Sequence, residues 1–221
     1  MNLRTLNRWD LTPTEAVKVQ RELAAKVRGG KLPEVKTVLG VDVSYRRREK
    51  EFLAAALLLA VPEMTPLRSV TARGTTPFPY VPGLLSFREI PPLLPLLDEM
   101  PRPDLIVVDG HGIAHPRGMG LASHIGLLTG VPTAGCAKSL LTGKCDEPGP
   151  VPGNSSPITL NGKTVGYALR SRKGCKPLYI SPGHLLDPAE AVKAVTRCLR
   201  GYRLPEATRL ADKLSKEKGN E

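Results

Sequence analysis

The sequence predicts an α/β domain, a mixed β-sheet with helices on both faces. Three observations carry that reading. Three runs of strand character follow one another between residues 37 and 73 through short connections, which favours antiparallel pairing. Asp104 to Asp109 is a continuous apolar run between two acids, the mark of a parallel strand buried on both faces. Beyond it, segments of helical and strand character alternate towards the C-terminus. A length of 221 residues fits one domain, 1–221. A composition of 41% hydrophobic and 24% charged residues is that of an ordinary globular protein. With 5 Tyr, 3 Phe and 1 Trp, the core must be aliphatic.

In chain order, Thr12-Pro13-Thr14-Glu15 is a capping box with Pro at the first helical position. Ala16, Val19, Leu23 and Val27 then recur at helical spacing, and Gly29-Gly30 is the expected stop. Thr37–Tyr45 reads as the first strand. Arg46 to Glu51 is a charged turn, Phe52 to Val61 a second strand and 65–73 a third. Residues 75–92 contain five Pro and are expected to form a long, stiff loop, a kind that in compact domains is usually functional. Leu93 to Met100 has helical character. The buried strand at 104–109 leads into a Gly/His-rich loop, a helix near 119–129 and a short strand at 131–136. Residues 142–157, with four Pro and three Gly, read as loop. Thr164–Arg170 and Pro177–Ser181 are strand candidates. Asp187-Pro188-Ala189-Glu190 opens a further helix as a second capping box. A last helix starts at Pro205, with a charged tail from about 216 expected to fray.

Several function classes are excluded. The longest apolar run, Phe52 to Pro62, falls short of the roughly 20 residues a membrane span needs. No apolar stretch follows the N-terminal Arg4 and Arg8, which speaks against a secretory signal. Cys136, Cys145, Cys175 and Cys198 form no CxxC pair, so neither a zinc knuckle nor a thioredoxin motif is present; four reduced thiols in a cytoplasmic protein are expected. The formal charge is +11 and sits at the ends: residues 1–50 carry 12 Lys/Arg against 6 acids, and residues 161–221 carry 13 against 6. A polyanion such as nucleic acid is the natural partner of such ends, although basic surfaces also serve solubility alone.

Asp42 lies within a strand, on the face opposite Val41 and Val43. Such a carboxylate faces solvent, meets an Arg or binds a metal. Asp109 closes the buried strand, and ligands of α/β sheets bind at the carboxyl ends of strands. If the two strands pair, the carboxylates lie about 5 Å apart at the backbone and repel unless a divalent cation stands between them. Glu89, in the Pro-rich segment, would add a third oxygen ligand, a set that suits Mg²⁺ or Mn²⁺. Carboxylates around a metal-bound phosphate are the usual chemistry of metal-dependent nucleases. Asp109-Gly110-His111-Gly112-Ile113-Ala114-His115 is neither a dinucleotide fingerprint, since the third Gly is missing, nor a zinc helix, since Gly112 and Pro116 break it. His115 contacts a phosphate or a metal-bound water, or is structural. His124 and His184 read as structural. Lys138 is a single basic group following a strand. Tyr80, between Pro79 and Pro82, is a rigid aromatic tip that can wedge between stacked bases or pack on its own prolines.

Together these segments resemble the endonuclease V family of deoxyinosine-specific nucleases. The matching stretches are Gly40-Val41-Asp42-Val43-Ser44-Tyr45, Pro79-Tyr80-Val81-Pro82-Gly83-Leu84-Leu85-Ser86-Phe87-Arg88-Glu89, Val108-Asp109-Gly110-His111-Gly112, His115-Pro116-Arg117, Gly120-Leu121-Ala122-Ser123-His124, Gly135-Cys136-Ala137-Lys138-Ser139, Ser181-Pro182-Gly183-His184 and Tyr202-Arg203-Leu204-Pro205-Glu206. Ala207 stands where the family pattern has Pro. The resemblance implies a ribonuclease H-like fold and a Mg²⁺-dependent nick, with Mn²⁺ able to substitute. It implies a cut at the second phosphodiester bond 3′ to a deaminated base, leaving a 3′-hydroxyl and a 5′-phosphate. It implies Asp42, Glu89 and Asp109 as metal ligands, with His115 and Lys138 assisting near the scissile phosphate. Tyr80 becomes the wedge, the stretch from Pro79 through Val81, Pro82, Gly83, Leu84 and Leu85 the substrate-binding loop, and His124 a weaker substrate contact. The expected partner is DNA with deaminated bases, bound by a monomer away from membranes. Inosine-containing RNA is an alternative substrate, and a non-enzymatic inosine- or junction-binding protein a second alternative.

Overall fold

The computed structural model describes residues 1–45 and 51–217. The expected turn at Arg46–Glu51, apart from Glu51, and most of the charged tail lie outside them. One eight-stranded sheet runs through the molecule in the order β3-β2-β1-β4-β5-β8-β7-β6. Its strands are β1 (Thr37–Tyr45), β2 (Glu51–Ala60), β3 (Thr65–Thr75), β4 (Leu105–Val108), β5 (Thr133–Ala137), β6 (Ser155–Leu160), β7 (Lys163–Leu169) and β8 (Leu178–His184). As expected, β1, β2 and β3 form an antiparallel meander, and β4 joins β1 in parallel. β5 continues in parallel, and β8, β7 and β6 close the sheet antiparallel. The mixed sheet is ribonuclease H-like in its arrangement.

The helices are α1 (Pro13–Ala24), α2 (Leu85–Glu99), α3 (Leu121–Thr129), α4 (Pro188–Arg197) and α5 (Glu206–Glu217). Strand alternation divides the core between the two faces. Leu39, Val41, Ile106 and Val108 meet α2 and α3, whereas Val38, Leu105, Val107 and Cys136 meet α4 and α5. Both layers are almost wholly aliphatic. α5 rides directly on β1: a Cβ on Gly40 would stand 2.0 Å from the Ala207 carbonyl oxygen, so only glycine admits the helix there. Among the described residues no helix is long and apolar enough to cross a membrane, and all four cysteines are free thiols.

Four local expectations are corrected by tertiary contacts. α1 has its capping box but ends at Ala24, short of Gly29-Gly30. Those glycines instead allow a close chain crossing, with Leu185 N–H donating to Arg28 O and Asp187 N–H to Gly30 O, each at 2.7 Å. Residues 75–92 are not one loop, because α2 begins at Leu85 and takes in Pro91, Pro92 and Pro95. A proline removes the donor for the carbonyl four residues earlier. For Pro92 that carbonyl belongs to Arg88, and Tyr45 Oη donates to it at 3.0 Å. Burial of Phe87, Ile90, Leu93, Leu96 and Leu97 outweighs the proline cost. β6 emerges from the end of the expected 142–157 loop and carries Pro157 on an edge strand, where a missing donor is tolerated. Asp187 occupies the cap position of α4 without capping it: its carboxylate accepts from Gly30 N–H, and that of Glu190 accepts from Leu32 N–H.

Candidate active site

The last ladder pair of β1 and β4 is Val41 with Val108, so Asp42 and Asp109 are the next pair at the carboxyl ends of adjacent parallel strands. α2 brings Glu89 over them from the other side. The three carboxylates line a cavity of about 210 Å³, walled by Val41, Val43, Leu93 and Leu121. Its electrostatics are those of crowded anions. Burial, followed by the charges of Asp42 and Asp109, pushes the Glu89 carboxyl up to about 8. The Asp42 carboxyl is also raised, chiefly by burial and further by Asp212 and Asp109, against a hydrogen bond from Ser215. Two contacts offset the crowding: Ser215 Oγ donates to Asp42 at 2.5 Å, and Lys138 Nζ donates to Asp109 at 2.5 Å. Burial alone would lower Lys138, but its bond to Asp109 and the surrounding acids raise it, which keeps the ammonium charged.

Among the described residues no three Asp, Glu, His or Cys side chains are drawn together tightly enough to enclose an ion. Asp42 and Asp109 are turned onto Ser215 and Lys138 instead. The donor set still fits a hard divalent cation, being all oxygen, mutually repelling and gathered at one small cavity.

A second cavity, of about 330 Å³, adjoins the first and shares Asp109 and Leu121 with it. Tyr80, Val81, Pro82, Gly83 and Leu85 form one wall, and Gly110, His111, His115, Gly120, Lys138 and Ser139 stand around the rest. The loop of Tyr80 is tethered at both ends: Phe78 and Leu84 are buried, Phe78 lies 6.0 Å from the Phe87 ring, and Arg88 Nη1 donates to Phe78 O. Between these anchors Pro79 is exposed, and Tyr80 is 70% exposed, so it does not pack on its own prolines.

The structure therefore brings Asp42, Glu89, Asp109 and Lys138 together, and sets the Tyr80 loop beside them. Glu89 sits on a helix, not on a stiff loop. His115 is at the cavity but committed: its Nε2 donates to Gly83 O at 3.0 Å and its Nδ1 accepts from Arg117 N–H at 3.1 Å. Burial first, then Arg117, lowers its pKa to about 4, so the ring is neutral and holds a wall in place. His124 is fully buried, stacked on Trp9 at 5.2 Å and bonded to Ser86 and Asn7, and it reaches neither cavity. Sequence reasoning missed Asp212 and Ser215, both on α5 beside Asp42. Their signal was present: they stand one helical turn apart, and Ser215 follows the buried Ala211 by four residues. It was obscured because polar residues on the last helix read as its solvent-facing side. Arg203, in the motif Tyr202-Arg203-Leu204-Pro205-Glu206, bonds the carbonyls of Lys138, Lys176 and Pro177 with its guanidinium and so braces the backbone from which Lys138 projects.

Comparison with known proteins shows what the chain is similar to. The family model described as Endonuclease V matches residues 19–213. The Endonuclease V of Gloeobacter violaceus is 45% identical over 215 residues, covering 95% of this chain and 87% of that protein. The crystal structure of Endonuclease V from Streptomyces avermitilis superposes with a TM-score of 0.88 at 43% identity, covering 95% of this chain and 94% of that one. Endonuclease V from Ciona intestinalis was solved with a 23mer DNA containing an inosine followed by a ribo-adenosine; it is 29% identical, with a TM-score of 0.82 and coverage of 94% and 98%.

Proposed function

The chain belongs to the Endonuclease V family, and from that premise we propose that it is a single-domain DNA repair nuclease that recognises deoxyinosine and hydrolyses the second phosphodiester bond 3′ to it, leaving a 3′-hydroxyl and a 5′-phosphate. The observation that carries this reading is the junction of two cavities, one ringed by carboxylates and one of a size to take a base, with an exposed tyrosine at the rim. The inosine-containing DNA bound by the Ciona relative supports it.

Asp42, Glu89 and Asp109 would hold Mg²⁺, for which Mn²⁺ can substitute. When bound, the metal supplies charge stabilisation at the reacting phosphate and an activated water. Lys138, held at the edge of the carboxylates, places a positive charge where a phosphate enters. Tyr80 fills the gap left by a flipped base, and unstacking costs least at a mispair, which favours hypoxanthine from the start. The pocket then rejects guanine through its extra exocyclic amine, which would be buried without a partner. RNA is the second reading, since the inosine in the Ciona complex is followed by a ribo-adenosine. The test is a nicking assay on DNA and RNA carrying one inosine each, with and without Mg²⁺. A metal-dependent nick at the second bond of the DNA is expected. Cutting that ignores inosine, or proceeds without metal, overturns the reading, and cutting of the RNA alone replaces it with the second.

A further inference from the structure

In the lining of the pocket assigned to the base stands a buried amide, that of Gln20, which the chemistry above does not use. Gln20, on the inner face of α1, is 1% exposed. It lies between Ala16 and Leu23, a position where an aliphatic side chain would satisfy packing. Its hydrogen bonds all run to the pocket's rims. Nε2 donates to Gly83 O at 3.0 Å and to Met119 O at 2.6 Å, and Oε1 accepts from Nε of Arg117. Arg117 Nη2 donates onward to the same Gly83 oxygen at 2.8 Å, and His115 Nε2 reaches it at 3.0 Å. A carbonyl oxygen offers two lone pairs. Three donors converging on one carbonyl exceed what satisfies it and fix where it stands. Gly83 itself is shaped for this arrangement: its φ is +78°, and a Cβ there would lie 2.7 Å from Arg117 Nη2.

We propose that Gln20 is a positioning residue for base selection. Through Gly83 on one side and Met119 on the other, it ties the tyrosine-loop wall to the wall that begins at Gly120, and so sets the width of the pocket. Discrimination by a single exocyclic amine requires a wall that does not yield, and a site is only as selective as the groups that hold it. The proposal rests on the assignment of this pocket to the flipped base.

The test uses Gln20→Leu, which keeps the volume, and Gln20→Glu, which keeps the acceptor for Arg117 but loses both donors. Arg117→Lys, which keeps the charge but not the planar bridge, serves if the first two fail to fold. Single-turnover cleavage is measured on duplexes with inosine or guanine at one position, across enzyme concentrations that bracket half-saturation. For Gln20→Leu the half-saturating concentration on inosine should rise about tenfold, the scale of one lost hydrogen bond to a buried group. The rate at saturation should stay within about twofold and the preference for inosine over guanine should fall by about tenfold. Gln20→Glu, which faces both carbonyls with acceptors alone, should lose at least as much discrimination as Gln20→Leu. A loss that falls equally on both duplexes, in proportion to the folded fraction on melting, makes Gln20 a merely structural residue and overturns the proposal, as does unchanged discrimination. A wild-type protein that does not distinguish inosine from guanine overturns the pocket assignment itself, and this proposal with it.

Discussion

At the scale of single residues, the site is held against its own charge. Glu89 lies on partly buried ground facing Asp42 and Asp109, and its pKa of about 8 stands above the ordinary carboxylate value. The fold thus favours the protonated acid, while the unfolded chain ionises freely. Stability contributed by protonated Glu89 is full below the unfolded value near 4.5 and is lost as pH rises through about 8. In chelator, Glu89→Gln should therefore melt above the wild type at pH 8, by up to a few kcal/mol, and the difference should vanish near pH 4.5. The same variant should not nick. A lower melting temperature for Glu89→Gln at pH 8 would show that neither burial nor the neighbouring carboxylates penalise the Glu89 charge. Asp42→Asn and Asp109→Asn should each abolish nicking while leaving affinity for inosine duplexes largely intact, because neither side chain needs to touch the base; a gel-shift titration beside the nicking assay separates the two effects.

At the scale of elements, the loop and helix that carry Tyr80 and Glu89 are joined by few but specific contacts. Tyr45 Oη satisfies the Arg88 carbonyl freed by Pro92, while Arg88 stacks its guanidinium on the Tyr45 ring at 4.2 Å. Tyr45→Phe keeps the stack and removes the hydroxyl, which should cost about 1–2 kcal/mol for the carbonyl left unpaired; denaturant titration measures it, and a cost near zero would mean water serves as well. Tyr80→Ala should weaken the preference for inosine over undamaged duplex by roughly the 1–3 kcal/mol of one base–aromatic stack. The loss should be smaller on single strands, where there is less stacking to open, and single-turnover cleavage of both substrates tests it. Equal losses on both would leave Tyr80 without a wedging function.

At the scale of the whole molecule, the sheet turns distant charge into local charge. Arg21 of α1 is near enough to Arg117 to help lower its pKa, after burial, although the two are far apart in sequence. Arg203, from the basic C-terminal part, braces the backbone at Lys138. One arginine from each basic end thus stands next to a residue that lines or braces the second cavity. If the basic ends follow a phosphate backbone, the logarithm of affinity for duplex DNA should fall with the logarithm of salt concentration by about 0.9 for each phosphate neutralised. Binding isotherms over a range of salt concentrations check this, and a flat dependence would assign the charge of +11 to solubility.

The sequence by itself determined the elements whose signals are local. β1 is bounded by its own β-branched run, α1 by its capping box, and β4 by the acids around an apolar core. The order of these elements already implied a mixed sheet, and Asp42 and Asp109 stood out because carboxylates at strand ends within apolar runs need a reason. What only the tertiary structure decided depended on partners remote in the chain. The prolines of 75–92 argued for a loop there, and burial on the sheet together with a hydroxyl from β1 instead carries the helix expected from Leu93 back to Leu85. Gly29-Gly30 looked like a helix stop and instead makes room for a chain crossing at Leu185. His115 and His124 carry identical side chains in neighbouring motifs, yet only packing tells them apart, the first on a pocket wall and the second stacked under Trp9. Gln20 was silent for the same reason: a polar residue on a helix is ordinary until the fold reveals what its side chain faces.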